Sequence, residues 1–363
     1  MADFHLPDDI ICNIIARLPA KPLLRFRCVS RYWDRKLREP NFMKLRSRKG
    51  IILPLRDSFK LIDDTSNLIV ERCHPYDMYP FKLTVIGSFN GVVLLAWLEY
   101  LILYNPFTGV SKLLPRPPGR YRRDARGFGY GATPDDLIIV RFRQHSDTCD
   151  LFNFREGSWT SWSMSKYNIY IRFENDVGHF VNGFFYWIAY NRSVLIAFSV
   201  KDMVLSEICP PFKIRREFCL SLLGTMDGYL CSLQPITNSR FDMWVMKEEN
   251  QWSKIYSFEL VELPLNHDPY YAIRILDSTR VVIWNPSSEN LIIYDTSKAS
   301  YKTLNISIES LNVLRVQALE YVETLVSPSD MCSSTSDYER TKYIKRGNDG
   351  KEKEMSNPYL SIK

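Results

Sequence analysis

The stretch Leu101-Ile102-Leu103-Tyr104-Asn105-Pro106 decides the fold, because its pattern returns four more times along the chain. Each copy is an apolar strand followed by a polar turn and a second strand. The later copies begin at Asp150, Leu195, Phe241 and Leu291, with steps of 49, 45, 46 and 50 residues. A weaker copy precedes them at residues 59–64. A regular period of this length indicates an architecture of stacked repeats.

A second signal keeps the same step and marks tight turns, each followed by an apolar strand. These turns are Asn90-Gly91, Asp135-Asp136, Asn182-Gly183, Asp227-Gly228 and Ser278-Thr279. Asn-Gly and Asp-Gly favour hairpins because both residues tolerate positive φ. Four strands in each unit of about 45 residues, repeated about six times, predict a β-propeller of six blades. Five or seven blades fit the same spacing if an end unit is incomplete.

The first 48 residues have a different pattern, with apolar residues at helical spacing, and predict three short helices. Pro7 suits the first position of a helix, and Asp8 and Asp9 complement the dipole of its first turn. Its apolar stripe comprises Ile10, Ile11, Ile14, Ile15 and Leu18. Pro19 ends this helix.

The second and third predicted helices are also rich in apolar residues. Pro22 opens the second, and Ser30 is the N-cap of the third. Their apolar residues are Leu23, Leu24, Phe26, Val29, Trp33 and Leu37. Three such helices carry more apolar surface than they can bury among themselves, which indicates docking on another protein. The alternative is a helical subdomain packed on the rest of the chain.

This segment resembles an F-box over residues 4–45. The matching positions are Leu6-Pro7, Ile11, Ile14, Leu18-Pro19, Lys21, Leu24, Arg25, Val29, Trp33, Leu37 and Pro40-Asn41-Phe42. Tyr32 and Arg46 depart from the common plant pattern. The resemblance implies binding to the Skp-type adaptor of a cullin-based ubiquitin ligase. The residues that would bury against the adaptor are Leu6, Pro7, Ile10, Ile11, Ile14, Leu18, Pro19, Leu23, Leu24, Val29 and Trp33.

The basic charge of the chain is concentrated in the same segment. Residues 1–50 hold twelve Lys and Arg against five Asp and Glu, a net charge of +7, whereas the whole chain carries +6. Such a field attracts an acidic partner, and Skp-type adaptors are acidic. Nucleic acid is a competing partner, but no zinc-finger, homeodomain or similar motif accompanies the charge. A merely solvated basic face is the third interpretation.

Residues of about 50–327 resemble the plant F-box-associated domain, a kelch-like family. The stretches that carry this resemblance are Gly87–Gly91, Leu103–Thr108, Gly127–Tyr130, Trp244–Lys247 and Tyr321–Ser327. The family includes S-locus F-box proteins of self-incompatibility and others that restrain immune receptors, and nothing in the residues chooses between these roles. The expected domains are an F-box at 1–48, a propeller at 49–327 and a disordered polar tail at 328–363.

The two resemblances together imply a non-catalytic substrate receptor of a ubiquitin ligase. The F-box would hold the adaptor and, through it, a cullin, while the propeller would hold an unknown target protein. No catalytic residue, metal or cofactor is expected, and the residues that bind the target are unassigned. Two alternatives stay open: a propeller-fold hydrolase with a helical appendage, and an F-box scaffold that acts outside ubiquitination.

Three groups of residues can be considered as catalytic or metal sites, and each has a simpler interpretation. Gly127, Gly129 and Gly131 mimic a phosphate-binding loop, but a strand follows them instead of the required helix. The pairs Asp63-Asp64 and Asp135-Asp136 resemble acid/base carboxylates, yet both stand where a hairpin must turn. Eight cysteines without a C-x-x-C pair, with five histidines, indicate free thiols in a reducing compartment and no zinc site.

The tryptophans at 159, 162, 187, 244, 252 and 284 recur once or twice per unit, which favours packing between blades over a ligand groove. The longest apolar run, Val92–Leu103, is interrupted by Glu99 and is too short to span a bilayer. Residues 1–5 lack the pattern of a secretory signal. We therefore expect no membrane partner and a location in the cytoplasm, the nucleus or both.

Overall fold

The computed structural model is mostly β-structure, preceded by three helices. It describes residues 7–18, 20–39, 42, 49–54, 58–63, 68–73, 83–97, 100–119, 124–131, 133, 135–143, 148–164, 177–189, 193–212, 222–260, 270–285, 290–307, 319–332, 343–346 and 352–355. None of the described helices combines the length and apolar character needed to cross a bilayer.

The helices are α1 (Asp8–Ala16), α2 (Ala20–Phe26) and α3 (Arg31–Arg38). Asp8 and Asp9 occupy the first turn of α1, directly after Pro7. Ser30 caps α3, because its Oγ accepts a hydrogen bond from the Trp33 amide at 3.2 Å. Pro22 lies inside the first turn of α2 and does not open it, a position tolerated because first-turn N–H groups lack intrahelical partners.

Six four-stranded antiparallel sheets follow the helices. Blade 1 holds β1 (Lys49–Pro54), β2 (Ser58–Asp63), β3 (Leu68–Cys73) and β24 (Leu319–Val322). Blade 2 holds β4 (Leu83–Phe89), β5 (Val92–Trp97), β6 (Tyr100–Asn105) and β7 (Val110–Leu113). Blade 3 holds β8 (Asp124–Tyr130), β9 (Leu137–Arg143), β10 (Thr148–Asn153) and β11 (Ser158–Ser163).

The remaining three blades repeat this order. Blade 4 holds β12 (His179–Val181), β13 (Phe184–Ala189), β14 (Val194–Ser199) and β15 (Val204–Ile208). Blade 5 holds β16 (Leu222–Met226), β17 (Tyr229–Pro235), β18 (Arg240–Glu248) and β19 (Gln251–Glu259). Blade 6 holds β20 (Tyr271–Ile275), β21 (Arg280–Asn285), β22 (Asn290–Asp295) and β23 (Ser300–Ser307).

Pairing between the two ends of the domain closes the ring. Strand β24 is the innermost strand of blade 1 and pairs with β1, so that Lys49 faces Val322 and Ile52 faces Leu319. The innermost strands β24, β4, β8, β12, β16 and β20 contact one another in this order. The prediction of a six-bladed propeller is therefore confirmed, and five or seven blades are excluded.

The sequence repeats fall at equivalent places in the blades. The apolar stretches are the third strand from the axis, and the turn pairs join the first and second strands. Asn90, Asn182 and Asp227 have φ values of 47°, 49° and 52°, as tight hairpins require. We call the side of the ring with these turns the turn face. The chain enters the ring there, because Lys49 begins β1 opposite Val322, the last residue of β24.

Each pair of neighbouring blades encloses an apolar cluster, which buries the two faces that an isolated blade would expose. The cluster between blades 1 and 2 includes Ile52 and Tyr104, and it continues into the helices through Cys12, Leu23 and Leu37. The helices and the ring therefore share one core.

Residues 328–332, which the sequence assigned to a disordered tail, are structured and lie against the ring. Pro328–Met331 form a 3-10 helix beside β6 and β7, and the Cys332 carbonyl accepts a hydrogen bond from Lys112 Nζ at 3.0 Å. Cys332 is buried in the cluster between blades 2 and 3, which stabilises this segment. Further on, β25 (Tyr343–Arg346) and β26 (Glu352–Met355) form an antiparallel hairpin.

Candidate functional site

The apolar stripe of α1 is divided between the core and the solvent. Ile15 is buried, and Ile11 and Leu18 are half-buried. Ile10 and Ile14 are 43% and 54% exposed. Residues four apart lie on one face of a helix, so Ile10 and Ile14 form a continuous apolar face toward solvent.

The other two helices divide their apolar residues in the same way. Leu23 and Leu37 are completely buried, whereas Val29, between α2 and α3, is 63% exposed. Tyr32 is also exposed, and its hydroxyl donates a hydrogen bond to the Asp8 carboxylate, which ties α3 to the first turn of α1. We call Ile10, Ile14, Val29 and Tyr32 the exposed helical set.

The residues implied to bury against an adaptor fall into four groups. Pro7, Ile10, Ile14 and Val29 are exposed, and Ile11, Leu18, Leu24 and Trp33 are half-buried. Leu6 and Pro19 lie outside the described residues. Leu23 has no exposed surface and belongs to the core shared with the ring. Tyr32, which the sequence presented only as a departure from the family pattern, joins the exposed set.

Half-buried aromatic rings support this exposed set. Trp33 packs edge-to-face against Phe26, with ring centroids 5.3 Å apart. The same distance separates the rings of Tyr32 and Trp33. Substitution of Trp33 therefore disturbs the support of Tyr32 as well as any contact of its own.

Positive charge surrounds the exposed helical set. Arg17, Arg25, Arg31 and Arg35 are exposed. The acidic residues within and directly after α3 are engaged locally, because Arg27 pairs with Asp34 at 2.6 Å and Lys36 pairs with Glu39 at 2.8 Å. The hydrogen bond to Glu39 raises the pKa of Lys36, and that to Asp8 raises the pKa of Tyr32. The four exposed arginines make this surface cationic, and it is therefore suited to an acidic partner.

The glycines that imitate a phosphate-binding loop have a packing role. Gly127 and Gly129 lie in β8, the innermost strand of blade 3. A Cβ atom at Gly127 would lie 2.4 Å from the Phe185 ring, and one at Gly129 would lie 2.5 Å from the Phe180 ring. Blade 4 therefore approaches too closely for any larger residue, which explains both glycines.

In the acidic pair Asp135-Asp136, Asp136 has a structural role. Asp136 closes the turn before β9, where its carbonyl accepts a hydrogen bond from the Gly131 amide at 2.8 Å, and its carboxylate pairs with Arg155 at 3.0 Å. Asp63 ends β2, and Asp64 lies outside the described residues. Within the described part of the chain, no three His, Cys, Asp or Glu side chains are grouped to hold a metal ion.

Most of the recurring tryptophans pack against other residues within or between the blades. Trp187 and Trp284 are buried, and the half-buried Trp159 donates its Nε1–H to the Pro115 carbonyl at 3.0 Å. Trp244 and Trp252 flank Phe212. Trp162, on the outer strand β11, is the exception at 40% exposure. The pattern therefore reflects packing far more than a ligand groove.

Comparison with known families identifies both parts of the chain. The family model for the F-box domain matches residues 4–45, and the model for the F-box associated beta propeller domain matches residues 58–307. The matches cover the exposed helical set, all strands of blades 2 to 6, and β2 and β3 of blade 1.

Similar proteins are known from Arabidopsis thaliana. F-box protein CPR1 is 25% identical over 352 residues, which is 83% of this chain and 84% of that protein. F-box/LRR-repeat/kelch-repeat protein At2g27520 is 25% identical over 90% of this chain and 98% of its own length. F-box/kelch-repeat protein At3g23880 is 23% identical over 90% of this chain and 97% of its own length. A chain from the crystal structure of a nidogen/laminin complex superposes with a TM-score of 0.45 at 9% identity, covering 76% of this chain and 99% of that one.

Proposed function

Because the chain belongs to the family of F-box proteins with an F-box-associated β-propeller domain, we propose that it is the substrate receptor of a Skp–cullin–F-box ubiquitin ligase. In this role the helices hold an acidic Skp-type adaptor, and the propeller holds a protein to be ubiquitinated. The chain itself performs no chemistry. It raises the effective concentration of the target's lysines near the conjugating enzyme.

The observation that carries the proposal is the exposed helical set. Ile10, Ile14 and Val29 leave apolar surface uncovered although the helices already share a buried core with the ring. Apolar side chains that remain exposed after folding, with exposed arginines around them, have the character of a protein-binding surface for an acidic partner. The shared core also supports a fixed geometry between adaptor and target, because helices and blades pack on one another.

A pull-down with purified Skp-type adaptor and cullin tests this function. We expect Leu6→Ala combined with Pro7→Ala to abolish adaptor capture, because anchors of this type cost about 2 kcal/mol or more each when truncated. The far-ultraviolet circular dichroism of the propeller should be unchanged. Capture that survives the double substitution would place the adaptor on another face.

Two further readouts separate the alternatives. A scaffold outside ubiquitination would bind the adaptor without assembling with cullin, whereas a hydrolase would turn over glycosides or esters without either partner. We propose the cytoplasm, the nucleus or both as the location, since that is where the ligase would meet its target. Imaging of a fluorescent fusion tests this, and a signal confined to another compartment would contradict it.

A further inference from the structure

A groove opens between blades 4 and 5, and no step of the proposed adaptor binding uses it. Its floor is apolar and includes Val181, Phe184, Ile208, Leu230 and Met246. Asn182 and Tyr229 line its edge, and both lie at turns that join the first and second strands of their blades. The groove therefore belongs to the turn face, where the chain also enters the ring at blade 1.

The walls of the groove are held in place before any ligand arrives. Asn182 Nδ2 donates a hydrogen bond to the Gly228 carbonyl at 2.9 Å, which fixes the two turns side by side. Strands β18 and β19 are nine residues long, and a β-bulge at Met246/Glu248 alters the end of their hairpin. This hairpin brings Glu248 and Glu249 to the rim.

The size of the groove restricts its occupant. It encloses about 160 Å³, whereas sites for cofactors and drug-sized molecules have roughly 300–1,000 Å³. A single apolar side chain presented by a peptide segment suits this space better than a metabolite. Tyr229 is 41% exposed at the edge, so an incoming side chain also meets an aromatic ring.

The rim carries a negative charge that selects the flanks of such a segment. Glu248 and Glu249 are both exposed, and Lys247 offsets only one of them. Burial, together with the negative charge of Glu249, raises the pKa of Tyr186 to about 12, so the field of that carboxylate reaches the groove lining. A basic residue beside the apolar anchor is attracted here, and an acidic one is repelled.

We propose that this groove binds a segment of the target protein in which one apolar side chain is flanked by Lys or Arg. The inference rests on the proposed function and deepens it, because it names a target-binding surface and the chemistry of the segment it selects. The helices pack on the cluster between blades 1 and 2, and the groove between blades 4 and 5 lies across the ring from that cluster, so the adaptor and the target segment can bind together.

Selection from a displayed library of random 12-residue peptides tests the groove on the full chain bound to its adaptor. We compare the wild type with Glu248→Lys combined with Glu249→Lys, and separately with Tyr229→Ala. The matched control is Glu156→Lys, which reverses an exposed charge at the third-to-fourth-strand turn of blade 3. None of these positions belongs to the exposed helical set.

The wild type and the Glu156→Lys control should enrich peptides with an apolar residue beside Lys or Arg. The double reversal should lose this enrichment or shift it to acidic flanks, and Tyr229→Ala should weaken binding of an enriched peptide at least tenfold. Enrichment without basic flanks, or a preference unchanged by the double reversal, would overturn the proposal. The proposal would also be overturned if the chain formed a dimer that the double reversal dissociates, because a second copy of the chain would then occupy the groove.

Adaptor capture is measured on the same samples. All four proteins should bind the adaptor equally, so a failure of the groove leaves the proposed function standing. A wild type that does not bind the adaptor but selects peptides with basic flanks would contradict the proposed function and leave the groove proposal standing.

Discussion

At the scale of single residues, Asn105 joins the β6–β7 turn of blade 2 to the segment that follows β24. Its Nδ2 donates to the Thr324 and Val326 carbonyls at 3.1 and 2.8 Å, and its Oδ1 accepts from the Phe107 and Thr108 amides at 2.9 and 3.2 Å. The side chain is completely buried. It therefore closes the β6–β7 turn and also holds the segment that follows β24.

We expect Asn105→Ala to lower the free energy of unfolding by about 3 kcal/mol, because it leaves buried backbone groups without partners. The matched control is Asn153→Ala in blade 3, where Oδ1 accepts the equivalent two amide hydrogen bonds. The control should cost only about 1 kcal/mol. Urea unfolding of both variants measures the difference, and equal costs would contradict the role in ring closure.

Two glycines in equivalent turns make a second comparison. Gly91 and Gly183 have φ values of 73° and 83°, so alanine is strained at both. A Cβ at Gly91 would also lie 2.1 Å from the Val322 carbonyl oxygen, whereas Gly183 has open space. Gly183→Ala should cost about 1–2 kcal/mol. Gly91→Ala should cost clearly more in a thermal unfolding experiment, and the reverse order would show that β24 does not lie against this turn.

His179, in the innermost strand of blade 4, makes the stability of the fold sensitive to mild acid. Burial, together with the positive charge of Arg274, lowers the pKa of His179 to about 3. Below its ordinary pKa of about 6.5, the unfolded chain takes up a proton that the folded chain does not. Stability is therefore lost as the pH falls from about 6.5 toward 3.

Between pH 7 and 5 this loss should be on the order of 2 kcal/mol. Urea unfolding at both pH values, with His179→Asn as the control, measures it. The lowered pKa values of Asp277 and Asp295 act at more acidic pH than this window. An equal pH dependence in the wild type and the variant would refute the assignment.

At the scale of elements, we expect β24 to be required for cooperative folding of the ring. It pairs with β1 and contacts β4, so its removal leaves blade 1 without an innermost strand. A chain shortened by residues 319–363 should fail to unfold cooperatively, whereas one shortened by residues 333–363 should keep the cooperative transition. Calorimetry of the two proteins decides this, and a cooperative transition in the shorter one would contradict the closure.

The elements that could be predicted from the sequence are those with local signals. The third strands of blades 2 and 4 are buried on both faces, so each forms a short apolar run in the sequence. The Asn-Gly and Asp-Gly turns require positive φ, which few residue pairs tolerate. The inward position of Leu23 could not be predicted, because helical spacing does not show which apolar face the ring covers. The hydrogen bonds of Asn105 to the segment after β24 and the groove between blades 4 and 5 could not be predicted either, because each depends on residues far apart in the chain.

At the scale of the whole molecule, helices and propeller form one receptor with two separated surfaces. The core between blades 1 and 2 extends into the helices, while the groove lies between blades 4 and 5. The basic charge is concentrated on the helices, and the acidic rim lies at the groove. Two partners of different chemistry can therefore bind the same chain without competing.

The most direct test of this account is the affinity of the full chain for a purified Skp-type adaptor, measured by isothermal titration calorimetry. Ile14→Ala combined with Val29→Ala should weaken the Kd at least about 30-fold, since the loss of a binding anchor costs about 2 kcal/mol or more. The control is Val110→Ala combined with Val204→Ala, two similarly exposed valines on the propeller, which should leave the Kd unchanged. Equal affinity of the helical variant and the wild type, or no binding by the wild type at micromolar concentrations, would contradict the account.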